Sequence, residues 1–156
     1  MNHRQPNSAQ CFVCGLQNPF GLQLQFFDNG IDEVRCEYAI PERFQGYPGI
    51  AHGGVVAAIL DEAIGRVSLI GAPLHLMMTA TMELKYRQPV PLHTPLTIIA
   101  RKLKDRGRVI KAEGALYLPD GTPAVEATLT LVDLPPHFAV TEEAAERLGW
   151  KVYEDA

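Results

Sequence analysis

The sequence predicts an α+β fold in which one long antiparallel sheet wraps around one central helix. Three stretches carry that expectation. Residues 49–65 read GIAHGGVVAAILDEAIG, with unbroken Val, Ala, Ile and Leu from Val55 to Leu60. The apolar character resumes at Ala63, Ile64, Val67, Leu69 and Ile70, and a proline-free run this rich in Ala and Leu favours a helix. Behind it come segments of alternating or continuous apolar residues separated by turn formers, and ahead of it lies a hairpin signal. A helix apolar on nearly every side is expected to be enclosed by protein.

In chain order, residues 1–10 (MNHRQPNSAQ) are polar and expected to be loose, and they lack the basic-then-apolar order of a signal peptide. Cys11 to Leu22, CFVCGLQNPFGL, is dense in turn formers. Leu22–Phe27 and Val34–Ile40 flank Asp28-Asn29-Gly30, a hairpin turn. Val34, Cys36, Tyr38 and Ile40 alternate with Arg35 and Glu37, the pattern of a half-buried strand. Pro41–Gly49 is a loop into the helix, and Gly71-Ala72-Pro73 ends the helical stretch. From Leu74 to Tyr86 the even positions are apolar and the odd ones mostly polar, which predicts one long two-faced strand. Strands over Leu96–Leu103, Val109–Leu118 and Val125–Val132 follow, joined by turns at Asp105-Arg106-Gly107 and Pro119-Asp120-Gly121. Thr141 caps a short terminal helix, with Glu142 and Glu143 in its first turn and Gly149 past its end. The division is therefore an N-terminal segment with a CxxC turn (1–21), the main domain (22–134) and a tail with a short helix (135–156).

Composition narrows the function. Hydrophobic residues at 47% and charged residues at 21% are ordinary for a soluble globular domain, and a net charge of −4 argues against a nucleic-acid partner. Asp61, Glu62 and Arg66 interrupt the only long apolar run, so no membrane span is expected. Three cysteines give no disulfide framework and point to a reducing, cytoplasmic setting. Cys11 and Cys14 have the spacing of a zinc half-site or a redox pair, but no second cysteine pair exists to complete a tetrahedral site. A buried turn of two small thiols, without metal, is the expectation.

Chemistry concentrates on the central helix. Gly53 and Gly54 follow His52 where the helix begins, leaving its first N–H groups bare for an anion or a polarised carbonyl. Glu62 has Arg66 four residues on, a sufficient structural reason for a charged pair. Asp61 has Gly65 at that spacing and so no local partner, which marks it as a carboxylate able to activate water.

The order of elements, with HGGVVAAILDEAIG on the helix and a CxxCGxxNPxGL lead-in, resembles the hotdog-fold acyl-CoA thioesterases, in particular the phenylacetate-pathway branch. The resemblance spans about residues 11–133. It implies hydrolysis of an acyl-CoA thioester to free acid and coenzyme A, with no cofactor beyond the coenzyme A of the substrate. Asp61 matches the family's catalytic carboxylate, acting as general base on water or as nucleophile through a transient anhydride. The Gly53 N–H is then expected to polarise the thioester carbonyl, with Gly54 clearing its approach. Thr79 matches a Ser or Thr that assists the carboxylate or its water. His52 reads equally as a polar cap or as part of the carbonyl pocket. Relatives can carry Asn six residues before the histidine; here that position is Gly46, with Gln45 beside it as the substitute donor. Glu62 borders the substrate region, and the basic run Arg101, Lys102, Lys104, Arg106, Arg108 is the candidate phosphate contact for coenzyme A.

Eight residues separate Gly53 from Asp61, roughly 12 Å along a helix at about 1.5 Å per residue. One carbonyl cannot touch both, so a shared site needs a second copy across a twofold axis. The family resemblance implies homodimers with two such sites, often paired into tetramers. Two other readings stay open on the residues: a non-catalytic acyl-CoA-binding hotdog protein, and a hydratase. The hydratase expects a His a few residues after the Asp, and none follows Asp61 until His75.

Overall fold

The computed structural model describes residues 3–154. A seven-stranded, fully antiparallel sheet holds β1 (His3–Arg4), β2 (Phe27–Asp28), β3 (Glu33–Tyr38), β4 (Met77–Tyr86), β5 (Leu96–Asp105), β6 (Val109–Tyr117) and β7 (Pro123–Asp133). Their order across the sheet is β1-β2-β3-β5-β6-β7-β4. The central helix α1 (Gly53–Gly65) runs into a 3-10 turn over Arg66–Leu69, and α2 (Glu142–Arg147) lies in the tail. This is the hotdog arrangement the sequence predicts.

Helix α1 packs Val56, Ile59, Leu60, Ala63 and Ile64 into a core with Val34, Cys36, Leu96, Ile98, Ile110, Leu116, Leu129 and Leu131 from the sheet. The alternation in β3, β5 and β7 supplies one buried face per strand, as half-buried strands require. The hairpin turn is closed by Asn29, whose Oδ1 accepts from the N–H groups of Ile31, Asp32 and Glu33. Thr141 Oγ1 accepts from Ala144 N at 3.1 Å and so caps α2 as expected.

Four expectations are corrected. The first hairpin arm, expected over Leu22–Phe27, is a strand only at Phe27–Asp28, because Gln23 takes a positive φ of 58° that breaks the extended run. Residues 3–10 are not loose. β1 pairs with β2, and buried Asn7 donates to Cys14 O at 2.7 Å and Leu24 O at 2.8 Å. Asn7 also exchanges backbone bonds with Lys151, so the two chain ends are tied together. The central helix is not enclosed on every side. Gly53 and Gly54 are exposed, and Ala57, Ala58, Asp61 and Gly65 only part-buried, because β4 is an edge strand with no strand beyond it among the described residues. Lastly, the even positions from Leu74 to Tyr86 do not share one face. The strand begins at Met77, and the β4–β7 register jumps from Thr79↔Leu131 to Thr81↔Thr130. Ala80 is the extra residue of a β-bulge, and it reverses the inside–outside parity along the strand. No helix among the described residues is long and apolar enough to cross a membrane.

Candidate active site

The bulge sets the site. Before it Met77 and Thr79 are part-buried while Met78 and Ala80 are exposed; after it the inner positions are Met82 and Leu84. Thr79 is thereby turned towards α1, and its Oγ1 donates to Asp61 Oδ1 at 2.7 Å. Asp61 has a tertiary partner in place of the helical one it lacks, and its second oxygen has no hydrogen-bond donor among the described residues. Adjacent Glu62 points elsewhere, pairing with Arg66 Nε at 3.1 Å. Arg66 is 2% exposed, lies over the rings of Phe26 and Trp150, and donates to Pro6 O at 2.8 Å.

At the helix start His52 is the N-cap, its Nδ1 accepting from Gly54 N at 2.9 Å. A side chain on residue 54 would press on that ring, at 3.1 Å from Nδ1, so Gly54 serves the cap. Val55 N and Val56 N both bond to His52 O. Of the first helical N–H groups, only that of Gly53 has no acceptor among the described residues. Opposite it, Tyr86 Oη donates to Gly53 O at 2.7 Å. Gln45 bridges to Ala51 in the preceding loop, whose Phe44 carbonyl accepts from His52 N at 2.9 Å. Its side chain makes no hydrogen bond among the described residues.

Helix α1 and β4 therefore run in opposite directions, with Gly53 meeting Tyr86 at one end and Asp61 meeting Thr79 at the other. Each end opens on its own cavity. The one at Asp61 is about 340 Å³ and is also lined by Thr79, Met78, Cys11, Cys14 and Trp150. The one at Gly53 is about 330 Å³ and is lined by Tyr47, Val56, Tyr86 and Val90. Within one chain the predicted carbonyl donor and the predicted carboxylate are not brought together.

The basic run falls on the β5–β6 hairpin. Arg101 pairs with Glu33 at 2.8 Å and Lys102 with Asp105 at 3.1 Å, whereas Lys104, Arg106 and Arg108 are exposed and form no ion pair among the described residues. Val109 lies opposite Val132, which lies opposite Met78. The hairpin tip is thus two strands from Thr79, roughly 10 Å at the usual strand spacing.

Sequence reasoning missed Tyr86, read only as an apolar strand position, and the residues that wall the Asp61 cavity from far away in the chain, Cys11, Cys14 and Trp150. Tyr86 Oη is signalled by nothing local. Trp150 reaches the cavity because the tail folds back, its Nε1 donating to Pro73 O at 2.9 Å. The cysteines are closely linked: hydrogen bonding from the Cys14 thiol holds Cys11 down to about 6, and the same contact together with burial pushes Cys14 up.

The profile of the thioesterase superfamily matches residues 48–125, half of the sequence, from the loop before α1 into β7. The chain belongs to the thioesterase superfamily. This superfamily member is 34% identical over 138 residues to the acyl-coenzyme A thioesterase THEM4 of Bos taurus, covering 86% of this chain and 56% of that protein. To THEM4 of Rattus norvegicus it is 27% identical, covering 88% of this chain and 59% of the relative. The chain thus spans a little over half the length of these curated relatives. A solved thioesterase superfamily protein superimposes with a TM-score of 0.70 at 30% identity, over 79% of this chain and 60% of that one. The smu.793 protein of Streptococcus mutans, solved bound to acetyl-CoA, shares the fold with a TM-score of 0.65 at 19% identity, over 71% of this chain and 88% of that one.

Proposed function

We propose that this thioesterase superfamily member hydrolyses acyl-CoA thioesters at two sites shared across a homodimer. The observation that carries the reading is the placement of two complementary half-sites at opposite ends of one edge strand, β4, whose outer side has no partner strand among the described residues. Asp61 with Thr79 stands at the start of β4, and the unengaged Gly53 N–H stands at its end. A ten-residue edge strand that directs every second residue's N–H and C=O groups away from β7 is a template for pairing with its own kind. Antiparallel pairing of two β4 strands about a twofold axis near the middle of the strand brings the Thr79 end of one copy beside the Tyr86 end of the other. Asp61 of one chain then approaches Gly53 of the second, and the small residues along the open helix face leave room for it. Such dimers pair further into tetramers in the arrangement that the family resemblance implies.

In this reading the thioester carbonyl oxygen accepts from the Gly53 N–H, at a helix start whose dipole favours the developing negative charge. Thr79 is a positioning residue: by occupying Asp61 Oδ1 it leaves the second carboxylate oxygen for water. Asp61 takes the proton from that water as its oxygen bonds to the carbonyl carbon. The carbon–sulfur bond then breaks and the coenzyme A thiolate leaves, to be protonated from Asp61 or solvent. Attack by Asp61 itself, through an anhydride opened by water, uses the same geometry. No cofactor enters the chemistry. Lys104, Arg106 and Arg108, at the same end of the sheet as Thr79, suit the coenzyme A phosphates.

The test is release of free thiol from a panel of short, long and aromatic acyl-CoA substrates. Turnover with at least one of them is expected. Binding of acyl-CoA without thiol release across the panel would replace the enzyme with a binding protein.

A further inference from the structure

Behind Asp61 the structure collects groups that hydrolysis does not use. The side chains of Cys11, Cys14 and Glu62 offer ligand atoms that all lie within 4.8 Å of one another. The two sulfurs come from the N-terminal turn and the carboxylate from the middle of α1, so the cluster joins segments some fifty residues apart in sequence. Its surroundings are built to hold sulfur in place. The N–H groups of Val13 and Cys14 both point at Cys11 Sγ, each at 3.4 Å, and Ser8 N points at Cys14 Sγ at 3.5 Å. Gly15 N closes the turn on Cys11 O at 2.8 Å. Only glycine fits there, since a Cβ would stand 2.5 Å from Cys11 N. Asn7, 1% exposed, clamps the turn from behind through Cys14 O. Arg66 fixes the carboxylate from the other side at 3.1 Å.

We propose that Cys11, Cys14 and Glu62 form a binding site for one zinc-class divalent ion, with a fourth position open to the cavity that also holds Asp61 and Thr79. Two thiolates and a carboxylate suit a borderline-soft ion such as Zn²⁺, and three protein ligands with an open position are a common zinc arrangement. Tetrahedral bonds of about 2.3 Å to sulfur and about 2.0 Å to oxygen put two sulfurs about 3.8 Å apart and a sulfur about 3.5 Å from the oxygen, so the ligand atoms need close in by about 1.3 Å at most. Two thiolates, one carboxylate, the ion and the Arg66 guanidinium sum to zero charge, which a half-buried site requires. The backbone N–H groups aimed at the sulfurs are the outer contacts that orient metal-bound thiolates. The missing second cysteine pair, which turned the sequence reading away from metal, is replaced by a helix carboxylate that only tertiary structure brings within reach. The ion ties the N-terminal turn to the central helix and takes no part in the proposed hydrolysis, so the inference stands apart from that reading.

The test uses the full chain, grown with zinc and purified without chelator or polyhistidine tag. Elemental analysis is expected to find about one zinc per chain. Replacing it with Co²⁺ should give a thiolate-to-cobalt charge-transfer band in the near ultraviolet, with intense visible bands of a tetrahedral ion. Cys11→Ser and Cys14→Ser should abolish the charge-transfer band or halve it, Glu62→Gln should weaken Zn²⁺ at least tenfold against a chromophoric chelator, and Cys36→Ser should change nothing. Should the cysteine variants fail to fold, the wild-type cobalt spectrum still decides. A folded wild-type chain with no bound zinc and no charge-transfer band on adding Co²⁺ overturns the proposal. So does metal binding that survives loss of both Cys11 and Cys14.

Discussion

Thr79 Oγ1 and Asp61 Oδ1 stand 2.7 Å apart and join the middle of the central helix to the bulge of an edge strand. If Asp61 accepts the proton of water, Asp61→Asn keeps the shape and loses the base. Turnover should fall by about 10²–10⁴-fold while the fold and assembly stay intact. Thr79→Val should lower kcat with little change in KM, and Thr79→Ser should recover most of the loss. Steady-state thiol release on all three variants checks this; equal activity in Thr79→Val and wild type would remove the positioning role.

Glu62, one residue on, is expected to act on stability rather than turnover. Among the described residues it is the one carboxylate paired with Arg66, whose side chain is 2% exposed. Glu62→Gln leaves that buried cation without its counter-charge, at a cost of about 3 kcal/mol. Thermal unfolding should show the loss, while kcat measured well below the transition should stay within a few-fold of wild type. A larger kcat loss than Asp61→Asn would reverse the assignment.

The bulge marks where the sequence stops being readable. Strict alternation from Leu74 to Tyr86 is consistent with an unbroken strand, and nothing in MMTATMELKY announces that Ala80 is the extra residue. The bulge depends on how β4 meets β7, which is tertiary information. Elements defined by their own residues were legible: the Asn29-Gly30 turn, the Thr141 cap, the Glu62–Arg66 pair at helical spacing, and the apolar run of α1. Contacts made by returning chain were not. Asn7 looks like tail polarity and is a buried clamp; Trp150 sits in a polar tail and walls the Asp61 cavity. The apolar run of α1 predicts an enclosed helix, yet its small-residue face is open among the described residues.

At the helix start, a Cβ on residue 53 would lie 3.7 Å from the Tyr86 ring, an ordinary contact. Gly53→Val should therefore fold, with kcat down about 10²–10³-fold because its side chain covers the N–H meant for the carbonyl. Tyr86→Phe removes only the bond to Gly53 O and should cost about 1 kcal/mol of stability. Calorimetry beside kinetics separates the two; a Gly53→Val chain that unfolds before it loses activity would deny Gly53 its role.

The hairpin tip is expected to read out in substrate affinity. Replacing Lys104, Arg106 and Arg108 together by Ala should raise KM for acyl-CoA several-fold at low ionic strength, with kcat nearly unchanged and the difference shrinking as salt is added. An unchanged KM would make the basic run a solvated surface.

The shared site is tested most directly by mixing two inactive chains. In a dimer of Asp61→Asn with Gly53→Val, one site carries both lesions and the other neither. With random exchange roughly half the dimers are mixed, so about a quarter of wild-type activity should return. The unmixed variants should stay near background, and native mass spectrometry of differently tagged chains can establish exchange independently. Recovery to about that level is the result predicted. Demonstrated exchange without recovery would mean that Asp61 and Gly53 do not serve one thioester.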